Sequence, residues 1–214
     1  MNNLGMSSRV AVSLCAASAV VALGACSSDT KSLSASTSSA SVSAPAMSEA
    51  APSPAEPTTA ASACPTAAPD SSGTPEWTLP GTTGSVAVSG STDTLAPRVT
   101  VTPPFSVTET QVHTLHAGDG PIVAPTATVS VCYMGVNGRD GRVFDSAYER
   151  GSPVEFPLNG VVPGFQKAIT GQKVGSTVGV AVASADGYPD GEPRAGIEKG
   201  DTLIFAIKIL SASS

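Results

Sequence analysis

From about residue 105 to the end of the chain, apolar side chains return at every second position, which is the period of a strand with one face buried. The alternation predicts strands over residues 106–115, 127–134, 142–146, 154–157, 174–183 and 202–211. Asn137-Gly138 and Asp140-Gly141 fall between the second and third of these. Both dipeptides suit a tight hairpin, whose central residues need positive φ. A helix fits only after residue 162: Pro163 suits a first helical turn, where a missing N–H costs nothing, and Gly171 suits the left-handed position past the end. A run of strands with one short α-helix predicts an α+β domain over residues 107–214, an antiparallel β-sheet curled over that helix.

Upstream the pattern thins. Over residues 74–106, Trp77, Leu79, Val86, Val88, Val99 and Val101 form short alternating patches broken by Gly84, Gly90, Pro97, Pro103 and Pro104. This reads as an N-terminal extension with extra strands packed on the domain that follows. Trp77 is either its point of attachment or an exposed linker residue. Residues 26–73 are nearly all Ser, Ala, Thr and Pro, without an aromatic. Such a segment buries too little apolar area to offset its ordering entropy and is expected to be a disordered tether. As a flexible coil it reaches roughly 40 Å, at about 5 to 6 Å times the square root of its length.

At the start, Arg9 precedes an uncharged run over residues 10–23 that is rich in Ala and Val, followed by Leu23-Gly24-Ala25-Cys26. A run this short that ends in small residues reads as a secretory signal peptide over residues 1–25, whereas a spanning helix needs about 20 apolar residues. Leu-x-Ala-Cys resembles the bacterial lipobox, which implies lipidation of Cys26 as with palmitate. It further implies a lipoprotein held at the cell membrane on its extracytoplasmic face, since two or more acyl chains anchor durably.

Charge and cysteine count narrow the picture further. The formal net charge is −6, and loss of Arg9 with the leader makes it −7. That acidity argues against nucleic acid as a partner, because phosphate neutralisation supplies most of such affinity. His113 and His116 lie three apart on the first predicted strand and should face opposite sides of it, both solvated, which makes a metal site improbable. Once Cys15 leaves and Cys26 is consumed, Cys64 and Cys132 remain. An oxidising compartment permits them to pair. Alternation turns Cys132 away from the face of Tyr133, so such a bond would staple the linker to the back of the sheet. A half-buried Cys132 with a free Cys64 is the alternative, and both stay open.

Residues 156–165 read Phe-Pro-Leu-Asn-Gly-Val-Val-Pro-Gly-Phe, with Phe144-Asp145-Ser146 upstream and Gly187-Tyr188 and Leu203-Ile204-Phe205 downstream. In this order and spacing, over residues 112–210, the motifs resemble the FKBP family of macrolide-binding peptidyl-prolyl cis-trans isomerases. The resemblance implies an FKBP-like half-barrel and rotamase activity in protein folding, without a cofactor. Its partners would be proline-containing exported polypeptides and macrolide ligands, and the chain would be a monomer. It places Tyr133, Phe144, Val161, Val162, Phe165, Tyr188, Ile197 and Phe205 around a prolyl pocket. Phe165 would be the floor, the backbone N–H of Val162 and the hydroxyl of Tyr188 would meet substrate carbonyls, and Asp145 would sit at the rim, bonded to Tyr133.

Taken singly, Phe144, Phe156 and Phe205 read as core and Val161-Val162 as an ordinary buried pair; only their joint spacing raises the site reading. The chain departs from the family's pattern at Val154, where many members place a second pocket Phe, and at Pro193, Gly196 and Glu198-Lys199. A non-catalytic peptide-binding or chaperone lipoprotein is the alternative function. Gly118-Asp119-Gly120 has no helix after it to cradle a phosphate, and no His near a Ser in the motif region offers a hydrolase base.

Overall fold

The computed structural model describes residues 63–213. The expected leader, Cys26 and most of the expected tether lie outside them. Among the described residues nine strands form two antiparallel sheets: a three-stranded one of β1 (Trp77–Pro80), β2 (Thr83–Ser89) and β3 (Arg98–Ser106), and a six-stranded one ordered β4-β8-β9-β5-β6. Its members are β4 (Gln111–His116), β5 (Thr128–Asn137), β6 (Val143–Ser146), β8 (Thr177–Val182) and β9 (Leu203–Ser213), with β7 (Val154–Pro157) also paired to β5. β6 pairs with Met134–Val136 and β7 with Thr128–Val131, so the two divide one edge of β5 between them.

Helix α2 (Pro163–Ile169) lies across one face of the large sheet, and Gly171 beyond it has φ +80°, the left-handed value that favours glycine. Phe165, Ala168 and Ile169 pack there against Val129, Val131, Val178, Val180, Val182, Phe205, Ile207 and Ile209. The opposite face is covered too. Ala181, Ile204 and Ala206 meet Val86, Val88 and Phe105 of the small sheet. This double cover explains why β8 is buried at every position although alternation alone predicts a half-exposed strand. Trp77 helps to join the layers. It stacks on His113 with ring centroids 5.6 Å apart and 9° between planes, and sits over Gly179, where a Cβ would lie 2.8 Å from its ring.

Several local expectations change. The strand expected over residues 106–115 is split, because the chain crosses from one sheet to the other between Ser106 and Gln111. Thr110 fixes the crossing, its hydroxyl donating to Asp186 Oδ2 at 2.6 Å and accepting from the Ala183 N–H at 3.2 Å. A second helix, α1 (Ala147–Arg150), occupies one turn between β6 and β7. Its signal was in the sequence: Ser146 caps the Glu149 N–H at 3.2 Å, and Gly151 closes the turn at φ +69°. His113 and His116 do not face opposite ways. A bulge between Thr114 and His116 brings both to the start of β1, with His116 Nε2 3.0 Å from Glu76 Oε1.

The expected tether is attached to the domain near its end, through Cys64 and Ala67. Cys64 is disulfide-bonded to Cys132 with Cα atoms 5.7 Å apart, its N–H donates to Gly151 O at 3.2 Å, and Ala67 bridges to Leu95. Both cysteines are buried, beside Ala147 and Tyr148. Of the two states the sequence left open, the bonded one is present.

Candidate active site

Where β5, β6, β7, β9 and the start of α2 converge, a cavity of about 400 Å³ opens to solvent. Alternation on β5 aims Val131 and Tyr133 at the α2 face and Cys132 away from it. Gly135, next on the Tyr133 side, has no side chain by necessity: a Cβ there would lie 2.6 Å from Phe144 and 3.0 Å from Phe205. Phe165, on the first turn of α2, forms the floor. Its ring meets Phe205 at 5.1 Å, Phe156 at 5.5 Å and Tyr133 at 5.6 Å, each edge to face, and Phe144 meets Phe205 the same way at 5.7 Å. Edge-to-face packing sets the electropositive rim of one ring against the negative face of the next, which holds the wall rigid.

Eight of the nine expected site residues, Tyr133, Phe144, Asp145, Val161, Val162, Phe165, Tyr188 and Phe205, border this cavity. Ile197 does not. It is 2% exposed and packs into the core behind the wall, because its backbone pairs with Glu192 in a tight loop closed by Gly196 in the left-handed region. Two residues given no role in the sequence reading belong here. Phe156 lines the cavity beside Val154, two residues away on the same face of β7. Arg150, at the end of α1, donates from its guanidinium to Asp145 Oδ1, while the Tyr133 hydroxyl donates to Oδ2.

Burial and then the Asp145 hydrogen bond push the Tyr133 phenol up to about 12. Burial also works to raise Asp145, but the bonds from Tyr133 and Arg150 outweigh it and hold the carboxyl below its ordinary value of 3.8. Asp145 therefore stays ionised and Tyr133 neutral across the physiological range. Among the described residues the Val162 N–H and the Tyr188 hydroxyl have no hydrogen-bond partner, whereas the Val162 carbonyl accepts from Phe165 and Gln166. Val162 and Tyr188, which carry these two donors, both line the largely aromatic cavity. Among the described residues no group of three or more His, Cys, Asp or Glu side chains is gathered to hold a metal ion.

These pKa directions set a pH dependence. Asp145, with its lowered pKa, contributes stability above its unfolded value that is lost as pH falls through the folded one. Tyr133, with its raised pKa, contributes below 10 and loses that contribution as pH climbs toward 12. The site should hold its form from about pH 5 to pH 9, between the ordinary carboxylate and phenol ranges. Asp145→Asn should lower the Tyr133 midpoint seen by ring NMR, yet leave it above 10 because burial is the larger cause. Tyr148, raised to about 12 by burial and bonded to Ser91, is the internal control and should not move.

The family of FKBP-type peptidyl-prolyl cis-trans isomerases matches residues 120–210. The chain is 39% identical over 100 residues to the FKBP-type 22 kDa peptidyl-prolyl cis-trans isomerase of Escherichia coli, covering 47% of this chain and 48% of that one. It is 38% identical over 96 residues to a probable FK506-binding protein of Corynebacterium glutamicum, covering 44% and 80%. To an FK506-binding protein of Streptomyces anulatus it is 35% identical over 97 residues, covering 44% and 78%. The chain spans about half the length of the Escherichia coli relative but most of the two shorter ones. With an aromatic cavity built on a matching stretch that spans 80% and 78% of two such relatives, the chain belongs to the FKBP-type peptidyl-prolyl cis-trans isomerase family.

Proposed function

We propose that the protein accelerates cis/trans rotation about X-Pro bonds by binding the twisted amide better than the planar one. Rotation breaks amide resonance, a barrier of about 18 to 20 kcal/mol, and both isomers of X-Pro are close in energy. The planar amide is charge-separated and the twisted one less so. A dry cavity therefore disfavours the ground state relative to the transition state, with no covalent step. A factor of about 10⁴ needs only about 5 to 6 kcal/mol.

The observation that carries this reading is the aromatic cavity with its two unpaired donors. In this reading the Val162 N–H and Tyr188 hydroxyl hold substrate carbonyls, while Phe165, Phe205 and Tyr133 exclude water from the prolyl ring. Asp145, bonded to Tyr133 and Arg150, holds the Tyr133 ring and presents its carboxylate at the rim.

The leader and Cys26 support placing the domain outside the cytoplasm on a lipid anchor, with exported polypeptides as clients. The Cys64–Cys132 bond agrees with that, since disulfides persist in oxidising compartments. A monomer, with macrolides as competing occupants of the cavity, completes the proposal. Val154 on the wall, where an aromatic would narrow the mouth, favours a second reading in which the cavity binds peptide without turning it over. A cis/trans assay of the full chain on a short X-Pro peptide separates the two. Catalysis is expected, weakened in Tyr188→Phe. A rate equal to buffer from a folded sample would leave only binding.

A further inference from the structure

Beyond Phe144 lies a second cleft, of about 480 Å³, between the β5–β6 hairpin and the loop around residues 193–198. Phe144 is a wall of both hollows, so across its ring the first adjoins the second. Its chemistry is the inverse of the first: Arg139, Arg142, Arg194, Asp140 and Glu198 line it.

These charges are not equivalent. Arg139 belongs to the framework, its Nε donating to Asp201 at 3.2 Å and its guanidinium to Gly196 O at 3.1 Å, with Glu198 at 3.5 Å and Asp140 at 3.6 Å. Asp201 is 7% exposed and also accepts from Asn137 Nδ2 at 2.6 Å and the Glu198 N–H at 2.8 Å, so its charge is consumed within the floor. Asp140 turns one carboxylate oxygen to the Arg142 N–H at 3.0 Å. The carboxylates of Asp140, Glu198 and Asp201 thus all gather around the one guanidinium of Arg139. Arg142 and Arg194, by contrast, have no carboxylate within ion-pair distance among the described residues. They come from opposite sides of the cleft, one from the hairpin and one from the loop.

We propose that this cleft is a specificity subsite for a carboxylate side chain of the polypeptide whose proline sits in the first cavity, so that the protein prefers sequences with Asp or Glu near the proline. The inference rests on the prolyl-cavity reading and deepens it. Guanidinium groups pair carboxylates through parallel N–H bonds, and two unpaired ones flanking a cleft hold such a group better than a neutral amide. One aromatic ring separates the hollows. An extended chain advances about 3.3 Å per residue, so with the hollows adjoining the acidic residue lies within a few positions of the proline. The protein's own net charge of −6 repels acidic peptides at long range, so the preference must arise in this cleft and should fall as salt screens it.

The test uses the full chain and a peptide series with one X-Pro bond, placing Glu, Gln or Lys in turn at each of three positions on either side. Isomerisation rates and NMR-detected dissociation constants are measured for every peptide. At one position Glu should exceed Gln by about fivefold and Lys should fall below Gln. Arg142→Gln with Arg194→Gln should bring the Glu and Gln peptides level. Equal binding of Glu, Gln and Lys peptides at every position would overturn the subsite, whether or not the bond is turned over. Failure to isomerise any peptide, with the Glu preference in binding intact, would instead overturn the isomerase reading and leave the subsite standing.

Discussion

Phe165→Ala is expected to abolish measurable isomerisation and to lower stability by about 3 to 5 kcal/mol, the cost of removing a buried Phe from a core that cannot collapse around the gap. Phe165 is 5% exposed, and its ring packs edge to face with each of Tyr133, Phe156 and Phe205. Without it the cavity loses its floor, water enters, and the amide is no longer desolvated. Because a domain is stable by only about 5 to 15 kcal/mol, the alanine variant alone cannot separate unfolding from lost chemistry. Phe165→Leu can. It fills most of the volume, so the cavity left and its cost are much smaller than for alanine, about 1 to 2 kcal/mol. It removes only the aromatic edges, so it should melt near the parent temperature while kcat/KM drops about tenfold. A folded Phe165→Leu protein that isomerises at the parental rate would show that the aromatic wall is packing rather than catalysis.

The sequence made much of this wall legible because its signals are local. Period-two alternation placed Tyr133 and Cys132 on opposite faces, and Pro163 with Gly171 bracketed α2. What escaped depends on contacts between distant segments. Ile197 reads as a wall residue from its motif position, but its inward turn is set by the Glu192–Ile197 bridge and Gly196, which no periodicity reports. Arg150 is legible only once Ser146 and Glu149 are recognised as the cap of a one-turn helix, five residues after the carboxylate it pairs. The bulge in β4 likewise defeats alternation, and sends His113 and His116 to the same neighbour strand. Whether Cys64 is solvated in a tether or buried against the domain depends on a partner at residue 132, and Ser, Ala and Pro composition cannot announce that.

Opening the Cys64–Cys132 bond is expected to lower stability by roughly 4 kcal/mol, because the bond spans 68 residues and in the chain-entropy model a loop of that length restricts the unfolded state by about that much. For a folded region of this size the melting temperature should fall by roughly 10 °C, at about 2 to 4 °C per kcal/mol. The effect should also reach the site. Cys64 covers α1 through its N–H bond to Gly151 and its packing on Ala147 and Tyr148, and α1 carries the Arg150 that pins Asp145. With the cover released, the guanidinium loses its fixed position, the Tyr133–Asp145 pair loosens, and kcat/KM should fall a few-fold even where the protein remains folded. The double variant Cys64→Ala with Cys132→Ala should reproduce both effects and be insensitive to reductant, which removes thiol chemistry as their cause. A soluble version begun at residue 74 would lack Cys64 and should share the defect, so a weak rate from such a fragment would report the missing staple rather than a poor active site. Identical melting of the oxidised and reduced full chain would mean that the packed segment is held by its apolar contacts alone, and the link from residue 64 to the carboxylate at residue 145 would be lost with it.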